Sequence, residues 1–279
     1  MDEARYANVD GIRTRYVRAG AGPCVLLLHG MMGALSHWGP TVAPLTAAAE
    51  VVALDLPPFG ASDKPPLVYS LAFYADFLTR FVRVLGLRDV TLVGHSFGGK
   101  VAAYTAAMRP EWVAGLVLVA TDGFAATPEK PRRPASVARM RALCVVAPRL
   151  LPLAGRLFFP KGVSVPPAMF EDARAFFADA DAPRALAAIS RSAEALDLAA
   201  SDAAPRLSRL ALPVEIVAGT NDRAMPPADA RRAATIFPRA HLSLLPGVGH
   251  LVPIERPAAV VEAVRAVLAA RAPQEERTA

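Results

Sequence analysis

Residues 90–99 read VTLVGHSFGG, a short apolar run that leads directly into a glycine-flanked serine, Ser96. The pattern G-x-S-x-G spans residues 94–98 and lies between a strand-like run and a helix-like one. A turn of this kind strains the serine backbone and lifts the hydroxyl above the sheet, while the free amides of the following helix suit an anion. The stretch therefore predicts a buried strand, a sharp turn and a helix, with Ser96 as a candidate nucleophile.

Two other interpretations fit the same residues. Residues 94–99 followed by Lys100 match G-x-x-x-x-G-K, the pattern of a phosphate-binding loop, but that loop next needs Ser or Thr and the chain has Val101. The glycines could also do no more than make a tight strand–helix connection. The position of the pattern directly after a buried strand favours the nucleophile.

Continuous apolar runs of strand length recur along the chain, with helical stretches between them. Continuous rather than alternating apolar residues are typical of strands buried on both faces, as in a parallel sheet. Residues 5–17 alternate around Asp10-Gly11 and predict an antiparallel hairpin at the sheet edge. The chain is therefore expected to form an α/β fold with a mostly parallel, doubly wound sheet. The strand runs are 24–28, 51–56, 90–93, 116–120, 214–218 and 242–245, and helices are expected at 71–85, 101–108 and 258–270.

The alternation of strands and helices stops between residues 124 and 205. Prolines separate short Ala-, Leu- and Arg-rich stretches there, so one long continuous helix is not expected. We expect 124–205 to form a helical cap inserted into a core of 1–123 and 206–272, followed by a disordered tail at 273–279. The following cap side chains could line an apolar substrate pocket or simply hold the cap together: Phe124, Met140, Phe158, Phe159, Met169 and Phe170.

A serine nucleophile needs a base to take its proton and a carboxylate to orient that base. His250 is the candidate base, because it follows the last strand run in a glycine-containing loop that can aim its ring. Asp222 follows the strand run at 214–218 and is the preferred acid. Asp122, after the preceding strand run, is the alternative.

Two backbone amides are needed to bind the negative oxygen of a tetrahedral intermediate. One is expected from Phe97, directly after the serine, and the other from Met31 in the loop at 29–33. The side chains of Met31 and Met32 could in addition line the substrate pocket, since an oxyanion hole uses only the backbone.

With these residues identified, the sequence resembles the α/β-hydrolase superfamily and is most similar to its small esterase-like members with a helical cap. It departs from them at Pro58, which replaces the first glycine of the D-x-P-G-x-G-x-S pattern and puts the shape of that turn in doubt. The resemblance implies Ser96 as nucleophile, Asp222 as acid and His250 as base, with no cofactor and no metal. It rests on His29-Gly30, the run DLPPFGASDKP at 55–65, residues 94–99, Asp222 and Gly249-His250.

The sequence thus predicts a serine hydrolase that cleaves carboxylic esters of small to medium apolar acids through an acyl-enzyme. Serine at the elbow argues against epoxide hydrolases and haloalkane dehalogenases of this fold, which use aspartate there. One open alternative is a carbon–carbon bond hydrolase of meta-cleavage-type diketones, although Leu251 stands where those enzymes often carry tryptophan. The other is a weakly catalytic, ligand-binding member of the fold.

The composition and charge of the chain limit the classes of partner that it is expected to bind. With 53% hydrophobic residues the chain can fill a core, and its two distant cysteines exclude a disulfide scaffold. The net charge of +6 is concentrated in residues 130–161, which contain no Asp or Glu, and no nucleic-acid-binding motif accompanies it. We expect a small-molecule ester as partner, no nucleic acid and no membrane surface, and leave a homodimer open. A polar start without a signal segment or a membrane span predicts a cytoplasmic location.

Overall fold

The computed structural model describes residues 3–124, 134–158, 163 and 165–271, and for 151–158 it describes the backbone only. In these residues eight strands form one sheet in the order β1-β2-β4-β3-β5-β6-β7-β8. The first two strands form an antiparallel hairpin, β2 pairs antiparallel with β4, and all other neighbours are parallel. The predicted α/β fold is confirmed. The strands are β1 Arg5–Val9, β2 Ile12–Ala19, β3 Cys24–Leu28, β4 Glu50–Leu54, β5 Val90–His95, β6 Val113–Val119, β7 Val214–Gly219 and β8 Ala240–Leu245.

Helices cover both faces of this sheet. Alternate residues of β3 belong to two separate buried clusters, because Leu26 and Leu28 face one side while Val25 and Leu27 face the other. The burial of β3 on both faces explains why its sequence is a continuous apolar run. The helices are α1 Gly39–Thr46, α2 Leu71–Val84, α3 Phe97–Met108, α4 Val137–Phe158, α5 Pro167–Ala178, α6 Ala182–Arg191, α7 Ala204–Leu207, α8 Pro227–Ile236, α9 Val252–Glu255 and α10 Pro257–Ala270.

Several element boundaries differ from the sequence prediction by one to four residues, and two of these differences lie at the candidate site. Strand β4 ends at Leu54 rather than at residue 56, and the carboxylate of the next residue, Asp55, accepts the amide of Leu35 (2.7 Å). Helix α3 begins at Phe97, four residues before the predicted start, because Ser96 is the N-cap residue and the helix follows it directly. The carboxyl ends of the parallel strands meet at one edge, where these two loops lie.

The segment between β6 and β7 contains α4, α5 and α6, and α4 packs against the other two. The segment is divided into several helices, as expected, and α5 and α6 each carry a proline in their first turn, but α4 runs continuously through Pro148 and Pro152. Each proline removes one backbone donor from the helix, and α4 as a whole packs against α6. The division at residues 124 and 205 remains a prediction. Phe159, the side chain of Phe158 and the tail at 273–279 lie outside the described residues.

Among the described residues, no helix combines the length and the apolar character that crossing a membrane requires.

Candidate active site

The turn between β5 and α3 holds Ser96 in the predicted strained conformation. Its backbone has φ +52° and ψ −117°, in a region that residues with a side chain rarely adopt. The Ser96 amide donates to the Val119 carbonyl (2.8 Å), which ties the turn to the neighbouring strand. A Cβ on Gly94 would collide with the Gly98 backbone, and one on Gly98 would collide with the Leu28 carbonyl. Both glycines are therefore required by close backbone approach.

A carboxylate and a histidine from the loops after β7 and β8 form a pair near this turn. Asp222 follows β7 and His250 follows β8, and Oδ2 of the aspartate accepts from Nδ1 of the histidine at 2.8 Å. The other oxygen, Oδ1, accepts the amides of Ala224 and Met225, each at 2.8 Å. The Asp222 side chain is fully buried. Because an ionised carboxylate only accepts, the proton lies on Nδ1 and leaves Nε2 of His250 free to act as a base.

The alternative acid, Asp122, has a different partner. Its Oδ1 lies 3.1 Å from Nζ of Lys100, and this ion pair is partly exposed. Lys100 is also the lysine that a phosphate-binding loop would have required, and here its ammonium faces a carboxylate. The structure therefore brings Asp222, and not Asp122, to His250.

The histidine loop lies directly against the residue that precedes the serine. Nε2 of His95 donates to the His250 carbonyl at 2.9 Å, and the two imidazole centroids are 4.9 Å apart. The Ser96 hydroxyl makes no hydrogen bond to any described residue, so the link from Ser96 to His250 is not formed in this conformation. In enzymes without substrate such bonds are often long and tighten when substrate binds.

The loop after β3 lies on the other side of Ser96. A Cβ placed on Gly30 would be 3.3 Å from the Ser96 Cβ. His29 holds the Gly30 carbonyl by donating from Nδ1 (2.7 Å), and its Nε2 accepts the Leu56 amide (2.9 Å). Gly33 donates its amide to the same carbonyl at 3.0 Å. The Gly30 carbonyl is thus fixed by two donors, beside the candidate nucleophile.

The two proposed oxyanion donors flank this arrangement. Phe97 is the first residue of α3, so its amide has no acceptor within the helix. Met31 directly follows Gly30, and the side chains of Met31 and Met32 are 38% and 48% exposed. Met32 has φ +55°, so the site has a second residue with strained backbone besides Ser96. The role of these two amides stays a prediction.

The residues predicted to line the substrate pocket lie in different environments. Met32 lies on the loop beside the elbow, whereas Phe124 is buried with its ring edge-to-face on Phe237 at 5.8 Å. Met140 is half-buried on α4 and packs against the large apolar cluster. The structure thus accounts for Phe124 and Met140 by packing, and their contact with substrate stays a prediction.

The buried His29 and His95 and the partly buried His37 lie near the site and are uncharged at neutral pH. Burial lowers the pKa of His29, and burial together with His29 lowers the pKa of His37 to about 3. The pKa of His95 is held well below its usual value by burial and then by the neighbouring His250. In the described residues no three His, Cys, Asp or Glu side chains converge as metal ligands would.

Sequence reasoning missed one residue that shapes the histidine loop. Glu255, in α9, accepts the Gly249 amide on Oε2 (2.7 Å) and the Leu251 amide on Oε1 (3.1 Å). It therefore holds the backbone on both sides of His250. The available signal was a carboxylate two residues before Pro257, and nothing in that pattern points to a loop five residues earlier.

Comparisons with known proteins identify the family. The model of the alpha/beta hydrolase fold family matches residues 23–257. An uncharacterized protein of Mycobacterium tuberculosis is 31% identical over 281 residues, which cover 97% of this chain and 82% of that protein. A 2-hydroxy-6-oxo-6-(2'-aminophenyl)hexa-2,4-dienoic acid hydrolase of Metapseudomonas resinovorans is 31% identical over 134 residues, or 47% of this chain and 46% of that protein.

A solved structure agrees with these matches over almost the whole length. The thermophilic esterase from Thermogutta terrifontis has a TM-score of 0.70 at 25% identity, covering 96% of this chain and 98% of that one. The family match includes the β3 loop, the elbow, Asp222 and His250. The chain therefore belongs to the α/β-hydrolase superfamily and is a hydrolase of that fold.

Proposed function

We propose that this hydrolase cleaves carboxylic esters of small to medium apolar acids through a Ser96–His250–Asp222 triad. The observation that carries the proposal is the 2.8 Å contact from His250 Nδ1 to the buried Asp222, in a loop that lies against the elbow of Ser96. A buried carboxylate on Nδ1 leaves Nε2 as the base and stabilises the imidazolium that forms when it takes a proton.

In the proposed mechanism His250 acts first as a base, then as an acid and then again as a base. His250 Nε2 takes the proton of Ser96 while Oγ attacks the ester carbonyl, and the carbonyl oxygen becomes negative. The amides of Phe97 and Met31 donate to that oxygen. His250 then gives its proton to the departing alcohol, which leaves an acyl-enzyme on Ser96. Water, deprotonated by the same histidine, attacks the acyl group and releases the acid.

One specific observation favours a second candidate. The Metapseudomonas resinovorans relative, similar over about half of the chain, is named as a hydrolase of a 2-hydroxy-6-oxo dienoic acid. A carbon–carbon bond hydrolase would use the same serine and histidine on a vinylogous diketone. Turnover of a short chromogenic ester measured beside that of a coloured ring-cleavage diketone separates the two. The ester proposal is overturned if the diketone has the larger kcat/KM by an order of magnitude.

The nucleophile is tested with Ser96→Ala, using the exposed Ser208→Ala as the matched control. Ester turnover should fall by about 10⁴-fold or more in Ser96→Ala, because no other hydroxyl can form the acyl-enzyme. Labelling by a fluorophosphonate should disappear with it, while the unfolding midpoint stays close to that of the parent. Turnover in Ser96→Ala equal to that of the control would remove the serine from the mechanism.

The acid is tested with Asp222→Asn against Asp122→Asn. An amide at 222 can donate to Nδ1 and so favours the wrong histidine tautomer, and we expect a loss in kcat of about 10³–10⁴-fold. Because Asp122 is paired with Lys100 rather than with His250, Asp122→Asn should lower kcat by no more than about threefold. Steady-state kinetics of both variants decide the matter, and the larger loss in Asp122→Asn would reassign the acid.

A further inference from the structure

The ring of His95 fills the space between the two loops on which the site depends. It is 2% exposed. On one side Nε2 donates to the His250 carbonyl at 2.9 Å, and the two rings are tilted by 48° with centroids 4.9 Å apart. On the other side Nδ1 would be only 3.0 Å from a Cβ on Gly30, in the loop that precedes Met31. His95 therefore touches both the base loop and the oxyanion loop.

The hydrogen bond fixes which tautomer His95 adopts. A carbonyl oxygen only accepts, so the proton lies on Nε2 and Nδ1 is left as an acceptor. Nδ1 is buried and has no partner among the described residues. Burial and the adjacent His250 keep the pKa of His95 low, so the ring stays neutral. A neutral ring is compatible with catalysis, since a charge here would oppose the imidazolium that His250 must become.

Three successive backbone groups around His250 are held in place. Glu255 accepts the amides of Gly249 and Leu251, and His95 donates to the carbonyl between them. The ring itself is held by Asp222 at Nδ1. The carbonyl of His250 is the one point in this set that is tied to the elbow itself, through the residue next to Ser96.

We propose that His95 is a positioning residue, whose Nε2–H bond to the His250 carbonyl fixes the base relative to Ser96. Its opposite edge sets how closely the loop at Gly30 approaches the same serine. The inference rests on the proposed function, because the position of His250 matters to turnover only if His250 is the base for Ser96.

The test is the pair His95→Gln and His95→Asn. The side-chain nitrogen of glutamine lies near the position of histidine Nε2, so it can still donate to the His250 carbonyl. The nitrogen of asparagine lies near the position of Nδ1 and cannot. With a short chromogenic ester we expect kcat to fall about 10–100-fold in His95→Asn, with KM changed by less than about threefold. The glutamine variant should stay within about fivefold of the parent.

Active-site titration with a fluorophosphonate gives kcat per functional site, and an unfolding midpoint is measured for each variant. Equal losses in both variants, or losses that vanish after titration, show that the ring only fills space and overturn the inference. If His95→Asn does not fold, His95→Gln decides: near-parent kcat supports the inference, and a 100-fold loss at an unchanged midpoint overturns it. Failure of the proposed function is distinguishable, since it would show as retained turnover in Ser96→Ala.

Discussion

The helices α5 and α4 follow one another in the inserted segment but meet the rest of the protein in opposite ways. Helix α5 presents Asp172 and Phe176 on one face, and Asp179, the residue directly after the helix, lies beside the same part of the core. Asp172 pairs with Arg15 at 2.8 Å, and Asp179 pairs with Lys64 at 2.9 Å. Between these ion pairs the buried ring of Phe176 lies on the body of the protein.

Helix α4 packs mainly on its neighbours α5 and α6, and it meets the large apolar cluster through Met140 and Cys144 rather than through ion pairs. Its inward side carries the buried Cys144, while its outward side exposes large apolar residues. Its arginines at 139, 141 and 149 make no ion pair to any described residue. The exposed apolar residues of α4 are Leu143, Val145, Val146 and Leu150.

The difference shows that the two helices are connected unequally to the site. From α5, Arg15 continues to the buried Asp55 at 2.6 Å, and Asp55 accepts the Leu35 amide at the end of the oxyanion loop. Burial alone would lower the pKa of Arg15, yet the carboxylates of Asp55 and Asp172 raise it. The guanidinium is therefore a fixed charge that joins α5 to the loop beside Ser96.

A second route from α5 runs through aromatic rings. The ring centroids of Phe176 and Phe59 are 6.0 Å apart. The Phe59 centroid in turn lies 6.0 Å from that of His29 and 6.3 Å from that of Phe97. Phe97 supplies one of the proposed oxyanion amides, and His29 holds the Gly30 carbonyl. We therefore expect substitutions on the inner face of α5 to affect both stability and turnover, and substitutions on the outer face of α4 to affect neither.

The largest effect should come from Phe176→Ala. Removing a buried ring leaves a cavity between α5 and the core, which typically costs about 3–5 kcal/mol. Turnover of a short ester should also fall, because Phe59 loses the ring that supports it beside Phe97. Chemical unfolding and kcat measured beside the exposed Arg174→Ala control test this. A loss of less than about 0.5 kcal/mol would mean that α5 does not depend on this contact.

A smaller effect is expected from separating the two ion pairs of Arg15. Arg15→Met leaves the fully buried Asp55 without its cation, although two amides still donate to it, and should cost about 3 kcal/mol. Asp172→Asn removes only the partly exposed half of the bridge and should cost about 1 kcal/mol or less. Unfolding of both variants in parallel is the measurement. Equal losses would show that the link to α5, rather than the charge on Asp55, dominates.

The elbow and its partners could be predicted because their signals are local. Close glycines around Ser96, strand-like runs before Asp222 and His250, and the order of these residues all lie within short windows of sequence. Each window implies a backbone shape, and parallel strands then bring their carboxyl ends to the same edge. The closeness of the Asp222 and His250 loops follows from that shared edge.

The connections to α5 could not be predicted, since they join residues far apart in sequence. Arg15 and Asp172 are 157 positions apart, and neither lies in a recognisable pattern. His95 has a local motif, but its partner is the backbone carbonyl of His250, and a carbonyl leaves no trace in the sequence. The continuity of α4 through its prolines likewise depends on tertiary packing, which outweighs the local preference of each proline.

The smallest effect should come from the outer face of α4. Val146→Ser replaces an exposed apolar side chain by a polar one, so little buried area changes and the expected change in unfolding free energy is within about 0.5 kcal/mol. Phe176→Ala, measured under the same conditions, is the reference for a large loss of unfolding free energy. If Val146→Ser instead lowered stability by more than about 1 kcal/mol, the outer face would be covered in solution. A dependence of that loss on protein concentration would then identify a second copy as the cover, because association stabilises by mass action.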